Sequence, residues 1–334
     1  MAQDMAGQSL PQREKTMRKK TNVLMLSVAL ASCSEMANAS CGAAFCTLNS
    51  DWGIQGAWEH SGTRLDLRYE WVRQGQLRSG TAKAAAAGIA DTHDEVKTLN
   101  RNTIATLDHS LDSNWGIALR LPVVARKHEH IHNDPINGAQ PETWKFSALG
   151  DVQLLGLYRF DPGHTSPASA GLRFGVKLPT GSIAQRNAGG ELAERSLQPG
   201  SGSTDVVAGA FYGAPGAPGG NWFSQIQWQH AVAIRDNYRP GDTVSLDAGY
   251  AQALTTRLQG LLQLNLRWKD RDSGSNAEPA DSGGEYAHIS PGLAFAVSKD
   301  TRLYGFVQLP LYQSVRGTQL TADWTAAAGV NVRF

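Results

Sequence analysis

The chain has little of what marks a nucleic-acid-binding protein or a helical membrane protein. Among its 334 residues, Lys plus Arg number 31 and Asp plus Glu number 30, so the net charge is only +1. This balance gives no basis for predicting a nucleic-acid partner. Beyond the amino-terminal region there is no run of about 18 apolar residues, which excludes a transmembrane helix there. Cysteine is scarce, with three residues, and no cofactor is predicted.

What the sequence does contain is alternation. In residues 323–334 the apolar side chains fall at even positions, ending with Val332 and Phe334, and the polar or small ones fall at odd positions. Successive side chains of a strand point to opposite faces. The segment therefore predicts a strand with one apolar wall and one polar wall.

The same two-faced pattern recurs along the chain and predicts about 12 strands. Charged residues at every second position, such as Asp66, Arg68 and Glu70, suit a water-filled lumen. Predicted connections alternate between short and long, and tryptophans fall near strand ends, as in outer-membrane barrels. We predict an all-β fold, a transmembrane antiparallel β-barrel over residues 63–334. A soluble jelly roll is the alternative.

Residues 1–39 are predicted to be an amino-terminal extension followed by a signal peptide. A basic MRKK segment precedes the apolar VLMLSVALA segment, and Ala37 and Ala39 supply a small-x-small cleavage site. The sequence LASC, ending at Cys33, also fits a lipoprotein signal, which stays as the alternative. Both interpretations predict export.

Residues 40–62 are predicted to lie at the periplasmic end of the barrel or to fold back into it as a plug. Cys41 and Cys46 are spaced for a small loop, and in an oxidising compartment we expect a disulfide between them. A metal-binding or redox pair is the alternative. The segment also contains Trp52 and Trp58, apolar side chains that a plug could bury.

Polar residues on the inward faces of the predicted strands are the candidate lumen-lining residues. They would favour water and polar or amphipathic solutes, since charges near a constriction set the selectivity of a pore. These candidates are Arg173, Lys177, Asp205, Gln225, Gln227, Asp247, Gln263, Asn265 and Arg267.

A histidine run lies in residues 125–145, which are predicted to form a long polar loop. His128, His130 and His132 recur at period two, so in an extended segment their imidazoles could share a face and bind a divalent metal. A His-rich extracellular loop without metal is the favoured interpretation.

A second motif, His288 and Ser290, has the His-x-Ser spacing of barrel lipases and deacylases. The strand phase turns both side chains inward, away from a membrane substrate, and no partner to orient the histidine is identifiable. We therefore predict that the chain is not an enzyme.

Three stretches in the second half of the chain carry a family resemblance. They are residues 149–152 (LGDV), 177–181 (KLPTG) and 198–205 (QPGSGSTD). With the terminal Phe334, which resembles a barrel insertion signal, they resemble the outer-membrane family linked to meta-pathway phenol degradation, over about residues 145–334. The resemblance implies a barrel in the bacterial outer membrane that passes small solutes, aromatic or apolar ones among them, by passive diffusion.

Two consequences follow for partners and for function. We expect outer-membrane lipid, a small-molecule solute and the barrel-assembly machinery as partners. A structural or adhesive barrel that carries no solute is the alternative function.

Overall fold

The computed structural model describes residues 40–41, 48–50, 62–90, 92–160 and 168–334. Residues 1–39, with the predicted signal peptide and Cys33, lie outside this set, and so does Cys46 of the predicted disulfide. The export and disulfide predictions therefore stay predictions.

Most of the described chain is β-strand. Within the described ranges the one helical element is a 3-10 turn at Arg195–Leu197, and no helix there is long and apolar enough to cross a membrane. The strands are β1 Ser40–Cys41, β2 Gly62–Gly80, β3 Ala82–Lys83, β4 His93–Ser110, β5 Trp115–Asp134, β6 Gly138–Leu149, β7 Val152–Phe160, β8 Ser169–Leu178, β9 Thr204–Pro215, β10 Gly220–Ala233, β11 Thr243–Ala253, β12 Leu258–Lys269, β13 Gly284–Ala296 and β14 Thr301–Arg333.

The sheet closes on itself, because β14 pairs antiparallel with both β13 and β2. The closed ring comprises β2, β4, β5 and β7 to β14, each antiparallel to its neighbours. β14 turns back on itself at Gly317, where φ is 68°, and Arg333 N donates to Asp300 O across the two arms at 2.9 Å. The wall is therefore crossed by twelve passes, as the sequence predicted.

Three short strands add to this ring. β1 runs parallel to β14, where Ser40 pairs with Gln319, and β3 forms a small hairpin with β2. β6 pairs with the far end of β5 and leads directly into β7, so β6 and β7 act as one interrupted strand.

The longest connections, 179–203 and 270–283, lie at the end of the barrel opposite the carboxyl terminus. The carboxyl terminus lies beside the short turn at 297–300. Short turns are periplasmic in outer-membrane barrels, so the long connections are extracellular. The other short turns at the periplasmic end are 111–114, 216–219 and 254–257. The extracellular end carries the long connections 84–92, 179–203, 234–242 and 270–283, together with the tight turns at 135–137 and at Gly317.

The barrel is polar inside and apolar outside. Along β2, Arg64, Asp66, Arg68 and Glu70 are buried, while the alternating residues Leu65, Leu67, Tyr69 and Trp71 are 36–45% exposed. Exposing an apolar residue at every second position around a closed wall is unfavourable in water and favourable in hydrocarbon. Tryptophans on this outer face near strand ends form the predicted girdle; they include Trp115, Trp222 and Trp268.

The sequence predicts long loops at residues 74–97 and 125–145, but strands extend into both. Residues 74–80 belong to β2 and 93–97 to β4, with the connection 84–92 between them, and most of 125–145 is the paired ends of β5 and β6. β5 has 20 residues, although about 9–11 suffice to cross the bilayer. Beyond the bilayer the outward face need not be apolar, so the alternation that predicts a strand disappears while the hydrogen-bonded ladder continues.

Candidate functional site

The segment Leu48 to Ser50 lies inside the barrel. Asn49 N donates to Gln263 Oε1 at 3.2 Å, and Gln263 Nε2 donates back to Asn49 O at 2.9 Å. Asn49 Nδ2 donates to Gln225 Oε1 at 3.2 Å. Arg68 Nη1 on β2 donates to Ser50 Oγ at 2.5 Å. These contacts to three separate strands hold residues 48–50, which we call the plug segment, inside the lumen. The plug prediction for residues 40–62 as a whole stays a prediction.

An apolar cluster lies in the periplasmic half of the lumen around Leu48. Phe306 lies across Gly292, where an added Cβ would come within 2.2 Å of the Phe306 ring, so only glycine leaves room for it. The cluster reduces the free cross-section at this end. Its other members are Ala251, Leu261, Ala294, Tyr304 and Ala327.

A buried polar network occupies the middle of the lumen. Asn265 Nδ2 donates to Asp247 Oδ1 at 2.7 Å, and Ser290 Oγ donates to Asn265 Oδ1 at 2.7 Å. Glu70 forms an ion pair with Arg68, 2.9 Å from Nη2 to Oε1. Such satisfied networks fix side-chain positions.

His288 and Ser290 both face the interior, as their strand phase predicted, and both are buried. The Ser290 hydroxyl is bonded to the Asn265 amide, and no hydrogen bond links it to His288 among the described residues. This arrangement does not activate the hydroxyl as a nucleophile.

The extracellular connection 179–203 folds inward over the lumen; we call it the inward loop. Arg126 Nη1 on β5 donates to the carbonyl oxygens of Ser196, at 3.3 Å, and Leu197. Trp144 Nε1 donates to Glu191 O at 3.2 Å. Leu197 is buried in an apolar cluster with Leu77, Trp144, Ala193 and Leu320. The sequence predicted this loop but not its inward direction, because no hydrophobic period marks it.

The three family-like stretches meet at the base of the inward loop. Lys177 Nζ lies 3.0 Å from Asp151 Oδ2 and 3.1 Å from Asp205 Oδ2. Asp151 also accepts hydrogen bonds from the backbone N–H groups of Gly181, at 3.0 Å, and Ser201, at 2.8 Å. The buried cation and two carboxylates compensate one another and hold both ends of the loop.

A cavity of about 330 Å³ lies beneath the inward loop. Gln227 on β10 and Arg267 on β12 line the cavity. On each strand this residue lies closer to the extracellular end than the residue that holds Asn49, which is Gln225 on β10 and Gln263 on β12. The cavity therefore lies on the extracellular side of the plug segment. Its wall carries six cationic side chains and one carboxylate, Asp151. The cations are Arg120, Arg126, Lys177, Arg195, Arg267 and Lys269.

Two of these cations have no carboxylate within ion-pair distance among the described residues. Lys177 pairs with Asp151 and Asp205, whereas neither Arg120 nor Arg267 forms an ion pair within the described part of the chain. Tyr238 also lines the cavity; its burial and the neighbouring Asp272 carboxylate raise the pKa of the phenol well above its usual value. Tyr238 therefore stays neutral and adds no negative charge to the cavity.

All nine predicted lumen-lining residues face the interior, but the structure divides their roles. Gln225 and Gln263 hold the plug segment, and Asp247 and Asn265 bond to each other. Lys177 and Asp205 hold the inward loop, Gln227 and Arg267 line the cavity, and Arg173 Nη1 lies 3.5 Å from Gln225 Oε1. The list lacked Arg120, which strand phase marks as inward, and Arg195, which no strand pattern could identify.

The histidine run lies on the extracellular part of β5 rather than in a loop. His128 and His130 are buried on the interior face, and His132 is half-buried. Only His130 of the three belongs to a group of side chains with metal-binding geometry, and its partners there come from β4 and the inward loop.

The fold and the two-faced wall define the class: a β-barrel of the bacterial outer-membrane type. No family model and no curated protein matches the sequence. Among solved structures, an outer-membrane channel from Pseudomonas putida F1 aligns with a TM-score of 0.65 and 12% identity, over 86% of this chain and 100% of that one.

Two other barrels align less closely. The toluene transporter TbuX of Ralstonia pickettii has a TM-score of 0.41 at 9% identity, over 84% of this chain and 91% of that one. A Pseudomonas aeruginosa FadL homologue has a TM-score of 0.40 at 9% identity, over 90% and 97%. Identities this low show the fold alone, and function has to be argued from the lumen.

Proposed function

We propose that the chain is a passive outer-membrane channel for small organic anions, aromatic ones among them. The observation that carries this proposal is the cationic cavity inside a closed barrel, with Arg120 and Arg267 lacking carboxylate partners among the described residues. Charged groups that line a low-dielectric passage concentrate solutes of opposite sign.

The cavity also offers surface for a ring. Pro122, Pro199, Tyr238 and Tyr286 line it beside the guanidinium groups. Small-molecule sites combine apolar or aromatic surface with a few polar groups that fix orientation. An aromatic solute with an anionic substituent matches both features, in keeping with the resemblance to the family linked to phenol degradation.

The test uses two solutes with the same ring and opposite fixed charge. Purified protein is reconstituted in liposomes, and uptake of benzenesulfonate is compared with uptake of benzyltrimethylammonium. We expect benzenesulfonate to enter about tenfold faster, the lower end of electrostatic concentration in a charged cleft.

Substitution of cavity residues tests whether this preference for the anion arises in the cavity. Arg120→Ala combined with Arg267→Ala should reduce the preference, while Arg257→Ala, on the exposed periplasmic turn 254–257, should leave it unchanged. Equal uptake of both ions by the native protein would contradict anion selectivity. No uptake of either ion would favour the structural or adhesive barrel.

A further inference from the structure

A second group of ionisable side chains lies at the extracellular end of the lumen, and none of its members lines the cavity. His93 and Glu95 are on β4, His130 is on β5, and Glu194 is in the inward loop. One ligand atom from each of the four residues lies within 4.8 Å of the others. His93 Nε2 is 3.1 Å from Glu194 Oε1 and 3.6 Å from Glu95 Oε1.

The surroundings of His130 are those of a metal-ligating histidine. Its Nε2 lies 2.6 Å from Glu142 Oε2, so this nitrogen donates to a carboxylate. Its Nδ1 is buried and has no hydrogen-bond partner within the described part of the chain, which leaves a lone pair for a ligand. Metal-ligating imidazoles generally donate their other N–H to a carboxylate in this way.

The charge of the group also favours a cation. Glu95 is fully buried, with the imidazoles of His93 and His128 as neighbours at 3.6 and 3.4 Å. Glu194 Oε2 is buried without a hydrogen-bond partner among the described residues. Two carboxylates beside imidazole nitrogens form a donor set of the kind that divalent transition-metal ions bind.

We propose that His93, Glu95, His130 and Glu194 form a site for one divalent transition-metal ion that holds the inward loop against the barrel wall. Two imidazoles and two carboxylates in a compact group suit zinc, which prefers four tetrahedral nitrogen, oxygen or sulfur ligands. Glu194 directly precedes Arg195 and Ser196, which line the cavity. Metal binding therefore fixes the extracellular wall of that cavity.

The binding test uses the full chain in detergent, treated with EDTA and then titrated with ZnCl₂ by calorimetry, with bound zinc counted by mass spectrometry. We expect one zinc ion per chain. His130→Ala and Glu194→Gln should each lower the affinity at least tenfold, and Glu142→Gln about 10- to 100-fold through loss of its support to His130.

His132→Ala is the matched control, because it removes a histidine from the same strand but outside the group. It should bind zinc like the native chain. Absence of zinc binding, or equal affinity of Glu194→Gln and the native chain, overturns the site. Glu194 lies outside the barrel strands, so heat-modifiable migration of this variant should confirm that it folds. The assay reads binding and is independent of whether the channel conducts.

The second measurement tests the effect on the loop. Arg186 is exposed in the inward loop and is a trypsin site. Zinc should slow cleavage after Arg186 in the native chain and in His132→Ala, and leave the rate in Glu194→Gln unchanged. Zinc that binds without slowing this cleavage contradicts the proposed attachment of the loop.

Discussion

Gly200 and Gly181 are in backbone contact: a Cβ atom on Gly200 would lie 2.5 Å from both the carbonyl carbon and the carbonyl oxygen of Gly181. The two residues belong to separate stretches, 198–205 and 177–181, and their contact closes the base of the inward loop. The buried Lys177, Asp151 and Asp205 lie beside this contact. These stretches therefore position the loop and need no catalytic role to account for their composition.

Substitution of this contact should loosen the loop. Gly200→Ala places a methyl group where only backbone surrounds it, and overpacking of this kind costs roughly 1–3 kcal/mol. We expect faster tryptic cleavage after Arg186 and a higher conductance in planar bilayers.

Gly305→Ala is the control for that variant, since the nearest atom to a Cβ at Gly305 is 3.8 Å away. It should match the native chain in both assays. A Gly200→Ala protein with native cleavage and conductance would contradict the role given to the contact.

The hold on the plug segment can be tested at Gln263. Gln263→Ala removes one acceptor and one donor from the buried Asn49 backbone, and leaving such groups unsatisfied costs roughly 1–3 kcal/mol. Single-channel conductance should rise, and deletion of residues 40–61 should raise it further. Gln140→Ala, on the exposed β5–β6 hairpin, should behave as the native chain. Unchanged conductance in the deletion variant would show that the segment does not obstruct the lumen.

The extracellular connection 270–283 should respond to pH through Glu278. Burial, with Glu194, Asp281 and Asp272 nearby, raises the pKa of the Glu278 carboxyl from 4.5 to about 9. Between these values the packed connection keeps a proton that the open one loses, so rising pH favours opening. In EDTA-containing buffer, hydrogen exchange of residues 270–283 should speed up from pH 5 to pH 9, beyond the intrinsic pH dependence of exchange. Glu278→Gln should remove that excess; its persistence in this variant would assign it to another group.

Assembly should depend on the terminal aromatic residue. Phe334 N donates to Thr63 O at 2.9 Å beside the start of β2, while its side chain is exposed on the outside. Deletion of Phe334 should reduce the amount of heat-modifiable protein in the outer-membrane fraction. Phe334→Tyr keeps an aromatic ring at this position and should give the native amount. Recovery of the native chain as a soluble periplasmic protein would contradict the barrel assignment.

The parts of the strands that cross the bilayer could be predicted from the sequence, because lipid requires an apolar residue at every second position there. Leu262, Leu264 and Trp268 on β12 alternate with Gln263, Asn265 and Arg267, and the structure places the first set on the outer face and the second on the inner face. The same rule gave the twelve passes of the wall, including both arms of β14. The bilayer imposes this alternation of apolar and polar residues, so the alternation stops where a strand leaves the bilayer.

Features beyond the bilayer or inside the lumen carry no such period. The strand ends around His93 and His130 were predicted as loop, because either face can be polar there. Contacts between distant segments, such as Gly181 with Gly200 or Asn49 with Gln263, depend on the closed barrel to bring them together. The cationic cavity also depends on contacts between distant segments. Arg120 lies on a strand and Arg195 in a loop 75 residues further along the chain.

The most direct test of the central claim is the reversal potential of single channels in a planar bilayer under a KCl gradient. We expect a reversal potential near that of chloride for the native chain, and a shift towards zero for Arg120→Ala combined with Arg267→Ala. Arg257→Ala should keep the native value. A native channel that prefers potassium, or one whose reversal potential is unmoved by loss of both arginines, would contradict an anion-selective cavity.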